Sequence, residues 1–366
     1  MGNDRRRFLA GALAMGGALV AGCAGTETKS MARRRPGVPI IDIHNHWHSS
    51  DFVALIEKEG AANGAKISRN ARGEVTFNVT GIGYVFQPQY NDLGMRLKAM
   101  DEMGVDIHAL SISSPMVYWA PPAFGLKLSQ VYNDSLVSTH RQYPRRFVGL
   151  AMVPMQAPDL ALQEVERVGK LPAIRGVYMG THVNGRNLDD KAFWPVYERC
   201  EALGLGIYLH PIDPLAAERM RNYYLRNLLG NPYDTGVAAA SLMFGGVMDA
   251  FPKLEVILPH AGGTFPALIG RMEHGASVRP ELRHMTKAPS TYLRRFHYDT
   301  VSHHTQLTMY ITRLVGADRV VLGSDHPADM SVASPFDWVE SLSGLSTRER
   351  DLIVGGNAMR LLRIAA

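Results

Sequence analysis

After residue 38 the chain repeats one unit, a short apolar run followed by a helix-length segment, and this repetition limits the fold more than any other feature. Short runs rich in β-branched residues that alternate with helical patterns indicate parallel strands joined by helices. We predict strands at residues 39–44, 105–111, 147–153, 174–179, 206–210, 255–260, 296–300 and 320–325. Eight such units in 366 residues favour an α/β fold, a (β/α)8 TIM-type barrel, with a doubly wound open sheet as the alternative.

One stretch interrupts this alternation directly after the first strand. Residues 60–90 contain the runs GEVTFNV and GIGYVF on either side of Thr80, which indicates a small β insertion. Loops that follow the strands of such a barrel project from its carboxyl end. We therefore expect the insertion to lie over the mouth of a barrel that spans residues 38–366.

The first residues predict export from the cytoplasm. Residues 1–23 contain paired arginines, an uncharged stretch rich in Gly and Ala, and the sequence VAGC that ends at Cys23. This segment resembles a twin-arginine signal with a lipoprotein cleavage site, and a permanent membrane span is the alternative. Residues 24–37 would then form a tether. We expect a periplasmic protein whose contact with the membrane is a lipid anchor at Cys23.

Charge and cysteine content exclude several classes of protein. The net charge of +5 comes largely from arginines near the N-terminus, so the rest of the chain gives little support to nucleic-acid binding. If Cys23 carries lipid, Cys200 has no intrachain partner, and no disulfide framework is expected. The chain also lacks a glycine-rich phosphate loop with a neighbouring lysine, which argues against nucleotide cofactors.

Polar side chains recur where the predicted strands end. Alternation along PIIDIHNH places His44 and His46 on the lumen face of the first strand, and His210, His260 and Asp325 end three later apolar runs. An apolar strand tolerates an unpaired buried polar group poorly. We therefore predict that these five side chains share one site at the carboxyl end of the barrel.

Three imidazoles and one carboxylate suit a single divalent transition metal, zinc first, with manganese or iron as alternatives. The predicted ligands are His44, His46, His210 and Asp325. An open coordination position would hold water, whose pKa a catalytic zinc lowers to about 7. His260, which precedes Gly262 and Gly263 where backbone can approach a ligand closely, is left to act as general base or acid.

The loop after the second predicted strand is apolar and allows two interpretations. Met116, Tyr118 and Trp119 either form a wall for a planar substrate or pack as an ordinary loop between strand and helix.

Several motifs spread over nearly the whole barrel carry a family resemblance. They are DIHNH (42–46), LKAMDEMGVDIHALS (97–111), LDDKAFWPVYERCEALGLGIYLHP (188–211), LMFGGVMDAFPKLEVILPHAGGTFPALIGR (242–271), LGSDHP (322–327) and GNAMRLL (356–362). With these motifs the chain resembles the amidohydrolase superfamily, and within it the amidohydrolase-2 group around the aminocarboxymuconate-semialdehyde decarboxylases. The stretch from Leu242 to Arg271 is the most specific of them.

The resemblance implies roles for individual residues. It implies the same four metal ligands and a His260 that deprotonates the metal-bound water. It also implies a homodimer in which Arg271 reaches the substrate carboxylate of the neighbouring subunit. The alternative for Arg271 is an ordinary surface residue on a helix.

Two positions depart from the family pattern. Gln87 stands where the decarboxylases have an arginine ahead of the first long helix, and a neutral amide cannot grip a carboxylate as a guanidinium does. Tyr224 stands where the family has a gating tryptophan. The resemblance therefore does not carry the family's own acidic substrate over to this chain.

Three functions follow, in order of preference. The first is decarboxylation of a small unsaturated or aromatic carboxylic acid by a metal-bound water and a histidine base. The second is metal-dependent hydrolysis of a lactone, ester or amide, which the loss of an arginine at position 87 favours. The third is a lipoprotein that only binds a small molecule, although such a protein has no need for an open metal site.

Overall fold

The computed structural model describes residues 37–71, 74–79, 82–214 and 217–365. The predicted export signal, at residues 1–23, and the tether except for its last residue lie outside this part of the chain. One compact unit begins at Gly37. Across the residues that the structure describes, no helix combines the length and the apolar character needed to cross a membrane.

The strands and α-helices alternate along most of the chain. In chain order the strands are β1 (Ile41–Asp42), β2 (Lys66–Arg69), β3 (Val75–Val79), β4 (Ile82–Phe86), β5 (Ile107–Leu110), β6 (Phe147–Met152), β7 (Ile174–Gly180), β8 (His182–Val183), β9 (Arg186–Asn187), β10 (Gly206–His210), β11 (Val256–Leu258), β12 (Phe296–Asp299) and β13 (Val320–Val321). The helices are α1 (Ser50–Glu59), α2 (Pro88–Asn91), α3 (Leu93–Met103), α4 (Pro122–Gln142), α5 (Pro158–Val168), α6 (Trp194–Leu203), α7 (Asn231–Phe244), α8 (Val247–Ala250), α9 (Phe265–Val278), α10 (Thr305–Val315), α11 (Pro335–Ser341), α12 (Thr347–Asp351) and α13 (Asn357–Leu362).

Eight of these strands form one parallel sheet in the order β1-β5-β6-β7-β10-β11-β12-β13. The two outer strands of that order meet where they end: Ile43 N donates to Leu322 O at 3.1 Å, and Asp325 N donates to His44 O at 2.7 Å. These bonds close the sheet into a cylinder. The predicted (β/α)8 barrel is confirmed, and the open-sheet alternative is wrong.

Burial explains why these segments become strands and helices. All six residues of β6 are buried, as expected for a strand covered by helices on one side and by the lumen on the other. In α5 the buried Ala161, Val165 and Val168 recur at helical spacing and face the barrel. The period of the apolar residues therefore matches the element in both cases.

The first and last barrel strands are shorter than predicted. Their regular pairing stops at Asp42 and Val321, before the predicted ends at residues 44 and 325. Asp325 has a φ of 63°, a left-handed conformation that no ladder accommodates. The chain thus leaves the sheet just where its metal-binding side chains begin.

The predicted insertion after the first strand is an antiparallel sheet of β2, β3 and β4. In β3 the buried Val75, Phe77 and Val79 alternate with half-buried residues, the pattern of a sheet with one covered face. The Phe77 ring packs edge-on against Trp119, which follows β5, with 5.1 Å between ring centroids. This contact ties the insertion to the mouth of the barrel.

Candidate metal centre and active site

The four residues predicted as metal ligands meet at the carboxyl end of the barrel. His44 and His46 follow β1, His210 ends β10, and Asp325 follows β13. All four are buried, and each offers one ligand atom within 4.8 Å of the others. Residues up to 281 positions apart in the sequence therefore form a single cluster, which lies where barrel enzymes place their active sites.

The imidazoles of His44 and His210 are each oriented by a hydrogen bond from the ring nitrogen Nδ1, which leaves Nε2 for a metal. His44 Nδ1 donates to Asp299 Oδ2 at 2.5 Å, and its Nε2 lies 3.3 Å from Asp325 Oδ1. His210 Nδ1 donates to Pro211 O at 2.8 Å, which leaves its Nε2 as the free lone pair. This arrangement is typical of metal-binding histidines, whose second nitrogen donates to a carboxylate or a carbonyl.

The cluster fits a divalent cation. His44 Nε2 and His46 Nδ1 are buried nitrogens without a hydrogen-bond partner among the described residues, and such groups are rare in proteins unless an ion or water satisfies them. Asp325 Oδ1 lies 2.8 Å from His46 Nε2 and close to His44 as well. Three nitrogens and one carboxylate oxygen match the donor preference of zinc and neighbouring metals.

The electrostatics of the cluster favour a positive charge at its centre. Burial lowers the pKa of His44, but the hydrogen bond to Asp299 and the nearby carboxylate of Asp325 outweigh this effect and raise the pKa to about 10. Burial and the neighbouring His46 and His44 hold the pKa of His210 well below its usual value. His210 therefore stays neutral and offers its lone pair to a cation, as metal binding requires.

His260 lies beside this ligand set without belonging to it. Its ring centroid is 5.2 Å from that of His44 and 5.6 Å from that of His210. Burial, followed by the neighbouring His44, lowers the pKa of His260 to about 4. The imidazole is therefore neutral at pH 7, and it can accept a proton and return it as a strong acid.

The backbone around His260 has an uncommon conformation. From His260 to Gly263 the φ angles are 53°, 54°, 82° and 56°, four consecutive left-handed residues. A Cβ on Gly263 would lie 2.1 Å from Pro232 O. The glycines were predicted to let backbone approach a ligand, but they approach the protein itself, because this loop packs against the start of α7.

A cavity of about 870 Å³ opens above the cluster, a size usual for small-molecule sites. Its wall includes His46, His210, His260 and Asp325 from the cluster, Gly83 and Tyr84 from the insertion, Tyr90, Ser113 and Ser114, and residues between Pro211 and Asn231, with Ala328 and Asp329. The insertion therefore contributes to the wall of the cavity.

Two arginines in this cavity were missed by sequence reasoning, which considered only Gln87 and Arg271 as carboxylate-binding positions. Arg221 and Arg226 both line the cavity, and Arg226 is ion-paired with Asp213. They lie in the irregular segment between β10 and α7, where no periodic pattern assigns a direction to a side chain. The one signal in the sequence was that two arginines lie within six positions of the chain.

A buried arginine holds the segment that carries His46 and was also missed. Arg96 on α3 is fully buried and donates through Nη2 to His46 O and through Nη1 to Asn45 Oδ1, the latter at 3.3 Å. Its Nη1 also lies 3.1 Å from His108 Nδ1. Within the motif LGMRLKAM it is indistinguishable from a surface residue of a helix.

The predicted substrate contacts fall into different environments. Tyr224 lines the cavity, and its hydroxyl donates to Asp329 Oδ1 at 3.1 Å. Trp119 is absent from the cavity wall; its Nε1 donates to Met116 O and its ring packs on Phe77. The packed-loop interpretation describes this position, and contact between Trp119 and a substrate stays a prediction.

Arg271 lies exposed on α9 and does not line the cavity of its own subunit. This position is the one expected of a residue that serves a neighbouring subunit, and equally of an ordinary surface residue. Its role across a dimer stays a prediction.

Comparison with known proteins gives concordant results. A family profile described as amidohydrolase matches residues 41–364. The chain is 32% identical to a 2-amino-3-carboxymuconate-6-semialdehyde decarboxylase of Dictyostelium discoideum over 88% of this chain and 91% of that protein. Among solved structures, a 5-carboxyvanillate decarboxylase of Sphingomonas paucimobilis is 25% identical, with a TM-score of 0.77 over 90% of this chain and all of that one. A dihydroxybenzoic acid decarboxylase of a Polaromonas species, with bound manganese and 2-nitroresorcinol, is 26% identical, with a TM-score of 0.73 over 89% of this chain and 97% of that one.

Proposed function

The chain belongs to the amidohydrolase family, and from that membership we propose that it is a metal-dependent decarboxylase of an aromatic or unsaturated carboxylic acid. The observation that carries the proposal is a neutral, half-buried His260 beside the ligand cluster at the base of the cavity. Decarboxylation replaces the carboxylate of the substrate by a proton on the same carbon. A histidine whose protonated form is a strong acid is suited to supply that proton.

Different residues would hold the metal, bind the substrate carboxylate and transfer the proton. A divalent ion held by His44, His46, His210 and Asp325 would supply Lewis acidity and a lowered pKa of bound water. Arg221 and Arg226 place positive charge on the cavity wall, where a carboxylate would bind. His260 takes up a proton from water and delivers it to the substrate carbon, which keeps the electron pair of the broken bond to CO₂.

For the metal we propose zinc, with manganese as the alternative. A donor set of three imidazoles and one carboxylate supports zinc. The bound manganese of the Polaromonas relative supports the alternative. Elemental analysis of the purified protein, followed by reconstitution of the metal-free protein with each ion in turn, distinguishes the two.

The proposed substrate is a small carboxylated molecule with a conjugated or aromatic system. The names of the three relatives describe enzymes that act on such acids. The neutral Gln87 does not line the cavity, and the arginines of the wall lie in a different segment. We therefore propose an acid other than the aminocarboxymuconate semialdehyde of the named relative.

Hydrolysis of a lactone, ester or amide is the second candidate, because a metal centre with a neighbouring histidine suits that reaction too. The test is a panel of hydroxylated benzoates, muconate-type acids, lactones and esters, offered to metal-loaded protein with detection of CO₂ and of released acid. CO₂ from at least one acid is the expected result. Cleavage of esters or lactones with no CO₂ from any acid would overturn the decarboxylase proposal.

We also propose that the protein is exported by the twin-arginine route and anchored by lipid at Cys23. The paired Arg5 and Arg6, with the apolar stretch up to Cys23, support this proposal. Replacing both arginines by lysine in the full chain should retain the protein in the cytoplasm. Cys23→Ser should move it from the membrane fraction to the soluble fraction, and an unchanged distribution of both variants would contradict the proposal.

A further inference from the structure

Asp299 has a place in the site that the proposed function does not use. It ends β12, and its side chain is only 1% exposed. It is not one of the four metal ligands, and it does not line the cavity. Its two oxygens nevertheless contact two different parts of the centre. The side chain therefore needs an explanation beyond the filling of the barrel lumen.

The first oxygen contacts a metal ligand. Asp299 Oδ2 accepts the hydrogen bond from His44 Nδ1 at 2.5 Å. A neutral imidazole has one N–H and one lone pair, so the proton on Nδ1 leaves the lone pair on Nε2, the nitrogen that faces Asp325. The carboxylate thus selects the tautomer of His44 that can bind a metal.

The second oxygen contacts the loop that carries His260. Asp299 Oδ1 accepts hydrogen bonds from Ala261 N at 2.8 Å and from Val301 N at 3.0 Å. Ala261 follows His260 directly. Both residues have left-handed φ angles, which residues other than glycine rarely adopt. The hydrogen bond to Ala261 N holds the backbone in this conformation at the point where it aims the His260 ring.

We propose that Asp299 is a positioning residue that couples the two halves of the centre, because one carboxylate orients both the metal ligand His44 and the proton-transferring His260. The inference rests on the metal centre and on the role of His260 in the proposed function, and it is independent of which reaction the enzyme catalyses. It predicts that a substitution at Asp299 damages the orientation of His44, the loop that carries His260, or both.

The chemistry of an amide makes Asp299→Asn an informative variant. If its oxygen stays on Ala261 N–H and Val301 N–H, its NH₂ group faces His44 Nδ1 and forces the proton of His44 onto Nε2, which can then no longer bind a metal. If the amide turns the other way, its NH₂ group opposes the two backbone N–H donors and the His260 loop loses its anchor. Each orientation therefore damages one half of the centre.

The experiment compares Asp299→Asn with Asp318→Asn in the full chain. Asp318 is a half-exposed aspartate paired with Arg294 just before β13, at the other end of the barrel, and serves as the matched control. The affinity for Zn²⁺ is measured by competition with a chelator, and turnover is measured at saturating metal. For Asp299→Asn we expect about 10- to 100-fold weaker binding of zinc, a lowered kcat at saturating zinc, or both, according to which way the amide turns, and for Asp318→Asn no change in either.

A direct observation on the unmodified protein tests the same inference. In zinc-loaded protein labelled with ¹⁵N in histidine, His44 should carry its proton on Nδ1 and bind metal through Nε2, and Asp299→Asn should shift the ring signals of both His44 and His260. This measurement needs no substrate. It stays informative if the decarboxylase proposal fails, and its wild-type half stays informative if the variant does not fold.

Three outcomes would overturn the inference. They are native zinc affinity together with native kcat in Asp299→Asn, ring signals of His44 and His260 that both stay unmoved in that variant, and an unprotonated His44 Nδ1 in the zinc-loaded wild-type protein. The absence of CO₂ release from every acid would count against the decarboxylase proposal alone.

Discussion

At the scale of single residues, two neighbouring histidines have pKa values shifted in opposite directions by their surroundings. Hydrogen bonds to two carboxylates raise the pKa of His44 to about 10, whereas burial beside other imidazoles lowers the pKa of His260 to about 4. The carboxylates that raise the pKa of His44 also favour a cation beside it once its Nε2 proton is lost, whereas His260 is suited to exchange a proton. Because burial and partners decide these roles, the residue type alone does not assign them.

His260→Asn should abolish turnover and keep the metal. Loss of a positioned acid or base reduces rates by about 10²- to 10⁴-fold, and His260 is not among the four ligands. The kcat and the zinc content of the purified variant are the measurements. His303→Asn is the control, since His303 is an exposed histidine with a similar left-handed φ of 55°. Undiminished kcat in His260→Asn would remove His260 from the mechanism.

At the scale of elements, the site depends on how the insertion of β2, β3 and β4 is held. It supplies Gly83 and Tyr84 to the cavity wall, and Phe77 joins it to the barrel through Trp119. An antiparallel sheet of three strands needs a covered hydrophobic face to be stable, and the packing of Phe77 on Trp119 supplies part of that cover. The shape of the binding site therefore depends on the contact between Phe77 and Trp119.

Phe77→Ala should loosen the insertion and weaken substrate binding. Removal of a fully buried phenylalanine costs about 3–5 kcal/mol, and here the loss falls mainly on the insertion. We expect faster proteolysis within residues 66–86 and a raised KM, with little change in metal content. Val85→Ala, at a 39% exposed position on β4, should change neither quantity. A native KM for Phe77→Ala would show that the insertion does not shape the site.

A second prediction concerns the charged cluster at the opposite end of the barrel, which joins β11 to β12 and α13. Glu255 accepts hydrogen bonds from His297 Nε2 at 2.9 Å and Arg360 Nη1 at 3.0 Å. Burial raises the pKa of Glu255, but these partners outweigh it and lower the pKa to about 2. The carboxylate therefore stabilises the fold above its unfolded pKa of 4.5, and this contribution is lost as the pH falls from 4.5 towards about 2.

Glu255→Gln should accordingly lower the free energy of unfolding at pH 7 by about 1 kcal/mol, a figure reduced because the side chain is partly exposed to solvent. Its unfolding free energy should also vary less with pH between 4.5 and about 2 than that of the unmodified protein. Urea unfolding over this range is the measurement. Glu198→Gln, at an exposed position on α6, is the control, and parallel curves for all three proteins would contradict the prediction.

At the scale of the whole molecule, the predicted homodimer would explain side chains that the single chain leaves exposed. Tyr223, Leu229 and Tyr233 near the cavity mouth are 86%, 58% and 50% exposed, and Leu268 on α9 is 42% exposed. Exposed apolar groups of this size often mark interfaces. They lie in the segment that lines the cavity and in the helix that carries Arg271.

A mixing experiment tests whether Arg271 serves the neighbouring site. Equal amounts of inactive His260→Asn and inactive Arg271→Ala subunits are mixed and allowed to exchange. In a two-fold dimer with shared sites, about half of the resulting dimers are mixed, and each mixed dimer contains one complete site out of two. The mixture should therefore recover about a quarter of wild-type activity. The kcat of the mixture and the mass in solution are measured together. A monomer, or a mixture as inactive as its components, would leave Arg271 as a surface residue.

How much of the site the sequence predicts depends on how local its signals are. His44, His46, His210 and Asp325 were predictable because each ends an apolar run, and closure of a barrel brings strand ends to one face. The role of Asp299 was not decided by its sequence, because His44 lies 255 positions away and nothing local states which polar group its carboxylate meets. Arg96 and Arg226 escaped prediction for the same reason.

The sequence by itself predicted the eight strands, their order and the four side chains that meet in the candidate metal centre, because period and burial are properties of short segments that each apolar run carries within itself. The tertiary structure alone decided which histidine is held for a cation and which is neutral, which arginines reach the cavity, and where Asp299 makes its hydrogen bonds. Those outcomes depend on distances between segments far apart in the chain, and such distances exist only after the cylinder has closed.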